Sequence, residues 1–495
     1  MKLHFASICI SIMLATGLCN MYGASSRIYY MDSKKGNDNF SGVSINQAWK
    51  SLDRLNKETF KPGDRILFKA GTEYIGQFEP MGSGAENSPI VVDTYGEGTK
   101  PILHGRGEEQ QTVLLKNIEY WEINNIEVTN LGNTDKAGRN GILIYAWDNG
   151  DTKHIHLRNI TVRDVNGSNV KKDGGGNGIH WNCGGKEIPT RFIDLLIENC
   201  HIYRCQRNGI TGGGNSSRDS WHPSLNVVIR GNLIEQVPGD GIVPIACDGA
   251  LVEYNILRDS PDILQMQDAA AGIWPWGSDN TIIQYNEVSG QKAKWDAQGF
   301  DADYNCINTT IRYNFSHDNY GGMIMICNDG ESLGKSWNVG TENTIIHGNI
   351  SINDGLRPYP TRPGWFSPII HISGPASNSV ISDNIFVVIK KDIENLDRSM
   401  ITIDNWGGPW PKNTLFKNNT FYIEDGEKAY KFSMGKGENT IFDGNAFYGK
   451  FINKPNDTNE KEKDKNINFL NNIIFPEGYP HFLQERVIKI LESIN

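Results

Sequence analysis

Asp301 and Asp303 stand two residues apart in QGFDADYN, and Trp274 and Trp276 stand two apart in AGIWPWGSD. On an extended strand, side chains at i and i+2 project from the same face, with Cβ atoms roughly 6.5–7 Å apart. Two carboxylates at that separation can share acid and base work across a bond and leave room for a water, which inverting glycosidases need. A neighbouring negative charge and an apolar wall would each raise one carboxyl pKa, as a general acid requires. Tryptophan faces offer large rigid apolar area with a polar rim and suit sugar rings. Asp301 and Asp303 are therefore candidate acid and base, and Trp274 and Trp276 candidate platforms.

These phrases belong to a recurring one. A glycine followed by an apolar residue opens NGILIY (140–145), NGIHWN (177–182), NGITGG (208–213), DGIVPI (240–245), AGIWPW (271–276), QGFDAD (298–303) and GGMIMI (321–326), with PIIHIS (368–373) and MITID (400–404) less regular. Stacked in a parallel sheet about 4.8 Å apart, they put His180, Asn182, Thr211, Val243 and His371 on the outward face, with Asp404 in shifted register. His180, Asn182 and His371 are candidate substrate contacts, as is Asp268 in MQDAAAG. Asp329 in CNDG could form a retaining pair with Asp301 across adjacent rungs, at about 5–5.5 Å. Asp240 and Asp296 are competing carboxylates.

A second phrase positions the first. An Asn-containing motif recurs from YWEINNIEV (120–128) through NVVIRGNLI (226–234) and NTIIQYNEV (280–288) to NTIFDGNAF (439–447). Aligned on asparagine, the copies give Asn125, Asn159, Asn199, Asn232, Asn255, Asn286, Asn314, Asn349, Asn384, Asn419 and Asn445. Their spacing of about 23–40 residues is that of a solenoid. Each copy alternates β-branched or aromatic residues with polar ones, as a half-buried strand does. Asparagine tolerates the left-handed turn a coil needs, and stacked asparagines can hydrogen-bond from rung to rung. The fold expected is an all-β, single-stranded right-handed parallel β-helix.

Four segments follow. Residues 1–24 (Lys2, then FASICISIMLATGL) read as a secretory signal, too short for a comfortable membrane span; Leu18 before Cys19 makes a lipoprotein anchor second choice. Residues 25–115 form an N-terminal cap and first coils, with AWKSLDRLN as the capping helix. Residues 116–450 form the β-helix. Residues 451–495 form a polar linker, a last strand near 466–475 and a capping helix over HFLQERVIKILESIN, apolar at helical spacing. A secreted or periplasmic monomer is expected.

The balance of 48 basic and 58 acidic residues, net −10, argues against nucleic acid as a partner. Of the cysteines beyond the signal, Cys200 and Cys205 are a candidate disulfide, but buried unpaired thiols are favoured. No Cys/His spacing suggests zinc, and no metal ligand set or cofactor is required. The loop with Asp32, Asn37, Asp38 and Asn39 could hold Ca2+, a solvated turn being the favoured reading.

The segment YYMDSKKGNDNFSG…AWKSL…KPGDRILFKAGTEY and the Asn-rich rungs resemble the parallel β-helix enzymes of the pectate-lyase-like superfamily. AGIWPWGSDN and AQGFDADYN are most similar to exported bacterial β-helix glycoside hydrolases. The resemblance implies the fold, and a carbohydrate-active enzyme on a poly- or oligosaccharide. No Gly-Asp-Asp or Arg-Ile-Lys of the polygalacturonase type is present. A polysaccharide lyase is the rival: Lys292, Lys294, Arg207 or Lys335 would be its base, with Ca2+ held by the aspartates. A non-catalytic glycan-binding solenoid would string aromatics along many rungs, and here they concentrate in one.

Overall fold

The computed structural model describes residues 26–494 except 267, 331, 362–363, 390–392 and 463–472. The segment 1–24, expected to be a secretory signal, and most of the last strand expected near 466–475 lie outside the described residues. Among the described residues, no helix is long and apolar enough to cross a membrane.

The chain is a parallel β-helix of three sheets. The first runs over 17 strands, from Ile28–Met31 to Glu438–Asp443, and the second over 13, from Glu73–Ile75 to Ala446–Tyr448. The third is in two five-stranded sections, Gln111–Lys116 to Ile242–Val243 and Phe300–Ala302 to Lys431–Ser433. Every strand pairing in the three sheets is parallel; for example Phe300, Asp301 and Ala302 pair with Ile324, Met325 and Ile326. Inward residues of the third sheet (Ile273, Phe300, Ile324, Ile370, Ile401) are fully buried and join one core with the inward faces of the other two.

The third sheet breaks because two rungs carry proline where the ladder needs a donor. Pro244 and Pro275 have no N–H to give, so pairing there reduces to isolated contacts of Ile273 with Ile242 and Phe300, and of Trp276 with Ile245. Register is nevertheless kept: Trp274 N–H donates to Ile242 O (3.1 Å) and Asp301 N–H to Ile273 O (3.2 Å). The recurring glycine is needed for close approach at the corner with the second sheet. A Cβ on Gly272 would stand 2.4 Å from Gly299 O and 2.5 Å from Val288 Cγ1.

Asparagine closes the corner between the first and second sheets, but in two columns, and the sequence alignment merges them. From Asn232 onward the asparagines are buried and chained: Asn255 Nδ2 donates to Asn286 Oδ1 (3.0 Å), Asn286 to Asn314 (3.0 Å), Asn314 to Asn349 (3.0 Å), and so on to Asn445, whose amide ends on Asp457 (2.7 Å). Each Oδ1 also takes a backbone N–H of the preceding rung, as Asn286 takes that of Asn255 (2.9 Å). Asn125, Asn159 and Asn199 belong one position earlier. They adopt φ of 59°, 53° and 54°, as do Gly231, Tyr254, Tyr285 and Tyr313 (55–65°), and Cys200, which follows Asn199, donates its N–H to Asn232 Oδ1 (2.9 Å). The left-handed turn and the buried ladder are thus separate neighbours. A further column, Asn280, Asn308, Asn343, Asn378, Asn413 and Asn439, is left-handed at φ 52–60° and links amide to amide on the exterior.

Two capping expectations are corrected. The N-terminal helix is only Leu52–Leu55, with Ser51 Oγ accepting from Arg54 N–H; Leu52, Leu55 and Trp49 supply its buried face. The C-terminal helix His481–Ile494 does not cross the open end. Its buried Leu483, Val487 and Leu491 pack with outward Phe315, Ile350, Ile352, Ile385 and Val387 of the second sheet, and Arg486 pairs with buried Glu287. Those outward residues are apolar, so the sheet needs cover along its side. The Cys200–Cys205 disulfide is absent: all six cysteines among the described residues are free and buried. Asp32 and Asp38 are engaged by protein donors, Lys69 Nζ (2.7 Å) and Lys34 and Lys35 N–H on the first, Ser51 and Lys50 on the second.

Removing one ladder amide strands donors and acceptors on both sides, and each orphaned buried group costs about 1–3 kcal/mol. Asn286→Ala is expected to lower stability by at least about 3 kcal/mol, whereas Asn308→Gly on the exterior column should cost under about 1 kcal/mol. Urea unfolding of the two variants measures the contrast.

Candidate active site

A cavity of about 580 Å³ opens on the outer face at the break in the third sheet. One outward column through it reads Val243, Trp274, Asp301, Met325, His371, Thr402; the next reads Trp276, Asp303, Cys327, Ser373, Asp404. Trp274, Trp276, Asp301, Asp303 and His371 thus all line it, as the strand alternation requires.

Four further expected residues do not line it. His180 lies three rungs below Trp274 in the same column, capped by Thr211 O and Oγ1 at 3.0 and 2.9 Å, and burial holds its imidazole down at about 4. Asn182 flanks it, against Gly213. Asp268 braces the rim by accepting Lys171 N–H (3.2 Å). Asp329 is also outside the wall, although its charge reaches Tyr304 and helps raise that phenol. Of the two tryptophans, Trp274 is the more enclosed, 6% exposed, packed with Val243 and Ala271 and donating Nε1–H to Asp240 Oδ1 (3.2 Å). Trp276 is more open and begins an aromatic wall: Tyr304 at 4.9 Å, then Trp406, which in turn faces His371 (5.6 Å), with Phe366 beyond (5.1 Å).

The carboxylates are the cavity's defining groups. Asp301 is 2% exposed, its Oδ1 has no hydrogen-bond partner, and burial followed by the charges of Asp296 and Asp303 pushes its pKa well above the ordinary range. Asp303, 9% exposed, is raised by burial to about 7, while its Oδ1 accepts from Tyr304 N–H (2.7 Å) and Cys327 Sγ–H (3.2 Å). Asp296 comes from another element, the short strand Trp295–Asp296 paired with Ala269–Ala270, and is the most accessible of the three. Burial raises it too, against the charges of Lys171, His371 and Arg357. Asp296 and Ala297 both adopt positive φ, 57° and 63°, a conformation held by Arg357, whose guanidinium takes the carbonyls of Ala293 (2.7 Å), Lys294 (2.8 Å) and Asp296 (2.8 Å). Asp240 is already neutralised by fully buried Arg207 (3.0 Å).

Among the described residues, Lys171 and Arg357 are the cations facing the cavity, and the strand pattern gave no hint of either. Lys171 lies in the 166–175 loop, its ammonium 5.2 Å from the Trp274 ring and 3.9 Å from Asp240. Arg357 and Phe366 arrive on the long connection over 353–368 and Trp406 on the short link after Ser399–Asp404; the available signal for the first two was the length of the insertion before PIIHIS. The lyase candidates sit elsewhere: Arg207 is spent on Asp240 and Lys294 on Asp262, and neither Lys292 nor Lys335 lines the cavity.

No family model matches the chain. It is 26% identical over 538 aligned positions to a lacto-N-biosidase of Bifidobacterium longum subsp. longum, an alignment covering 89% of this chain and 32% of that protein. The chain therefore spans about a third of the length of the curated relative it matches. Among solved structures, it is similar to the GH136 lacto-N-biosidase from Eubacterium ramulus, in a selenomethionine form (TM-score 0.62, 22% identity, 79% of this chain and 67% of that one) and a native form (TM-score 0.60, 22% identity, 84% and 68%). These likenesses bear out the β-helix fold.

Because Asp303 holds its proton up to about pH 7 when folded and loses it near 4 when unfolded, the group's contribution to stability is full in acid and is lost as pH rises from about 4 through about 7. Asp303→Asn removes that loss. The variant should match the wild type near pH 4 and exceed it by up to about 4 kcal/mol at pH 8, which denaturant titrations at the two pH values will measure.

Proposed function

We propose that the chain is a glycoside hydrolase acting on an oligosaccharide, with the acid and base drawn from the carboxylates of the cavity. The observation that supports this best is the concentration of Asp296, Asp301 and Asp303 in one aromatic-walled cavity, with all three pKa values raised. That is the environment in which a carboxyl keeps a proton at neutral pH to give to a leaving oxygen.

Roles follow from access and charge. Asp303, poised at about 7 and steadied by two donors on one oxygen, is the general acid. Asp296 is the anionic partner: it stands on a different element, open to the cavity, with Lys171, His371 and Arg357 opposing its neutralisation. Two carboxyls on separate elements can flank a glycosidic bond, whereas two on one strand approach from one side. Asp301 is the most deeply buried of the three; kept neutral, it can donate a hydrogen bond to a sugar oxygen and, by its own reluctance to ionise, confines the negative charge to its neighbours. Trp276, Tyr304 and Trp406 supply the sugar platform. Likeness to lacto-N-biosidases supports a substrate of the kind their name gives, an oligosaccharide from which a disaccharide is released.

The test is product mass after digestion of an oligosaccharide panel that includes lacto-N-biose-terminated chains. Products with one added water per cleavage are expected, and unsaturated products without added water would overturn hydrolysis in favour of elimination with Lys171 as base. Asp296→Asn and Asp303→Asn should each lower kcat by about 10³-fold or more with folding intact, and activity should fall as pH rises past about 7, where Asp303 gives up its proton.

A further inference from the structure

The first sheet carries a second convergence of reactive side chains, away from the cavity. Glu122, His154 and His156 each offer one ligand atom, and those atoms all lie within 4.8 Å of one another. They come from two adjacent rungs, with Glu122 beside His156 in register, and Asp194 joins them from the next rung beyond His154. His154 and Asp194 occupy the left-handed column of this corner, at φ 54° and 63°, where Asn226, Asn280 and Asn308 stand in later rungs. An asparagine would serve the turn, so the turn does not explain the histidine.

The hydrogen bonds fix which nitrogens are free for a ligand. The two oxygens of Asp194 take one N–H from each ring, His154 Nδ1 (2.7 Å) and His156 Nε2 (2.9 Å). That leaves His154 Nε2, which faces Glu122, and His156 Nδ1, which is joined to Glu122 through Arg158. His154 Nε2 is 3.1 Å from Glu122 Oε1, close to the roughly 3.3 Å edge of a tetrahedron with metal–ligand bonds of about 2.0–2.1 Å. A proton bridges that gap in the metal-free chain, and a metal ion can replace it. The place before His156 Nδ1 is taken by a cation already: Arg158 Nη2 lies 2.6 Å from Nδ1 and Nη1 3.1 Å from Glu122 Oε2. The guanidinium has another partner to withdraw to, Glu198 at 3.5 Å. Glu122 and His154 are each 23% exposed, so the cluster is open to ions from solvent.

We propose that Glu122, His154 Nε2 and His156 Nδ1 form a binding site for a divalent transition ion of the zinc type, with Asp194 orienting both rings and Arg158 as a built-in competitor for the same place. Binding balances as one proton released from His154 Nε2 and one guanidinium displaced from His156 Nδ1. Two imidazoles and a carboxylate suit zinc-type ions, and a carboxylate behind the histidines is their usual support. The occupied site would tie adjacent rungs of the first sheet together by metal bonds.

The experiment is calorimetric titration of Zn2+ alone into the metal-free full chain at pH 7.5, with unfolding temperature as a second readout. One saturable site is expected in the wild type. Arg158→Met should bind at least tenfold more tightly, because the competitor is gone, and Zn2+ should raise its unfolding temperature more. His154→Asn, which installs the residue later rungs carry in the same turn, should abolish the saturable site, and so should His156→Gln in the Arg158→Met background. Binding that is no tighter in Arg158→Met, or that survives His154→Asn, overturns the proposal.

Discussion

Each coil of this protein must turn a corner inside a packed interior, where a backbone N–H or carbonyl without a partner costs more than most side-chain contacts return. The buried asparagine column answers that constraint. One amide accepts two N–H groups of the rung before, one from the backbone and one from the side chain, and donates both of its own hydrogens, as Asn286 does to Asn314 Oδ1 and Val252 O. The left-handed residue just ahead of it aims the chain into the next strand. With that corner fixed, each third-sheet strand leaves the second sheet in the same register, and residues distant in sequence fall into columns.

The cavity is what those columns make when the polar outer face is filled by acids and rings. Its chemistry depends on exclusion of water. Asp301 and Asp303 are held by a sheet that also buries them, and the cost of ionising them is set by that burial first; the charge of Asp296 adds to it for both, against the hydrogen bonds from Cys327 and Tyr304 on Asp303. The inserted loops supply what the strands lack: Lys171 over Trp274, and Arg357 bracing the strained turn that presents Asp296. Strands therefore fix spacing, and loops fix charge balance.

That division explains what could be read in the sequence. The β-helix, the alternation that groups Trp274, Trp276, Asp301, Asp303 and His371, and the concentration of rings near one rung all follow from periods of two within strands and of a coil between them. The two asparagine columns merged because the motif shifts by one residue between Asn199 and Asn232 while Cys200 takes over the ladder position, a change that apolar spacing does not register. His180 and Asn182 share the face but not the cavity, because the position along the solenoid is set by where insertions fold back. Arg357 was invisible for the same reason. The C-terminal helix showed its apolar stripe plainly, and only the outward Phe315, Ile350 and Ile385 reveal which surface it must cover.

Pro244 and Pro275 give the third sheet a further property. In a solenoid, cooperativity passes from each repeat to its neighbours alone, so a rung short of ladder bonds is a boundary between folding units. The two five-stranded sections meet at such a boundary, and the aspartates stand on its upper lip with the tryptophans on its lower one. The bonds missing at Pro244 and Pro275 thin the ladder at this seam, so the place where this sheet has fewest rungs tied is, under the proposed hydrolysis, also the place where a sugar ring would enter and a product would leave.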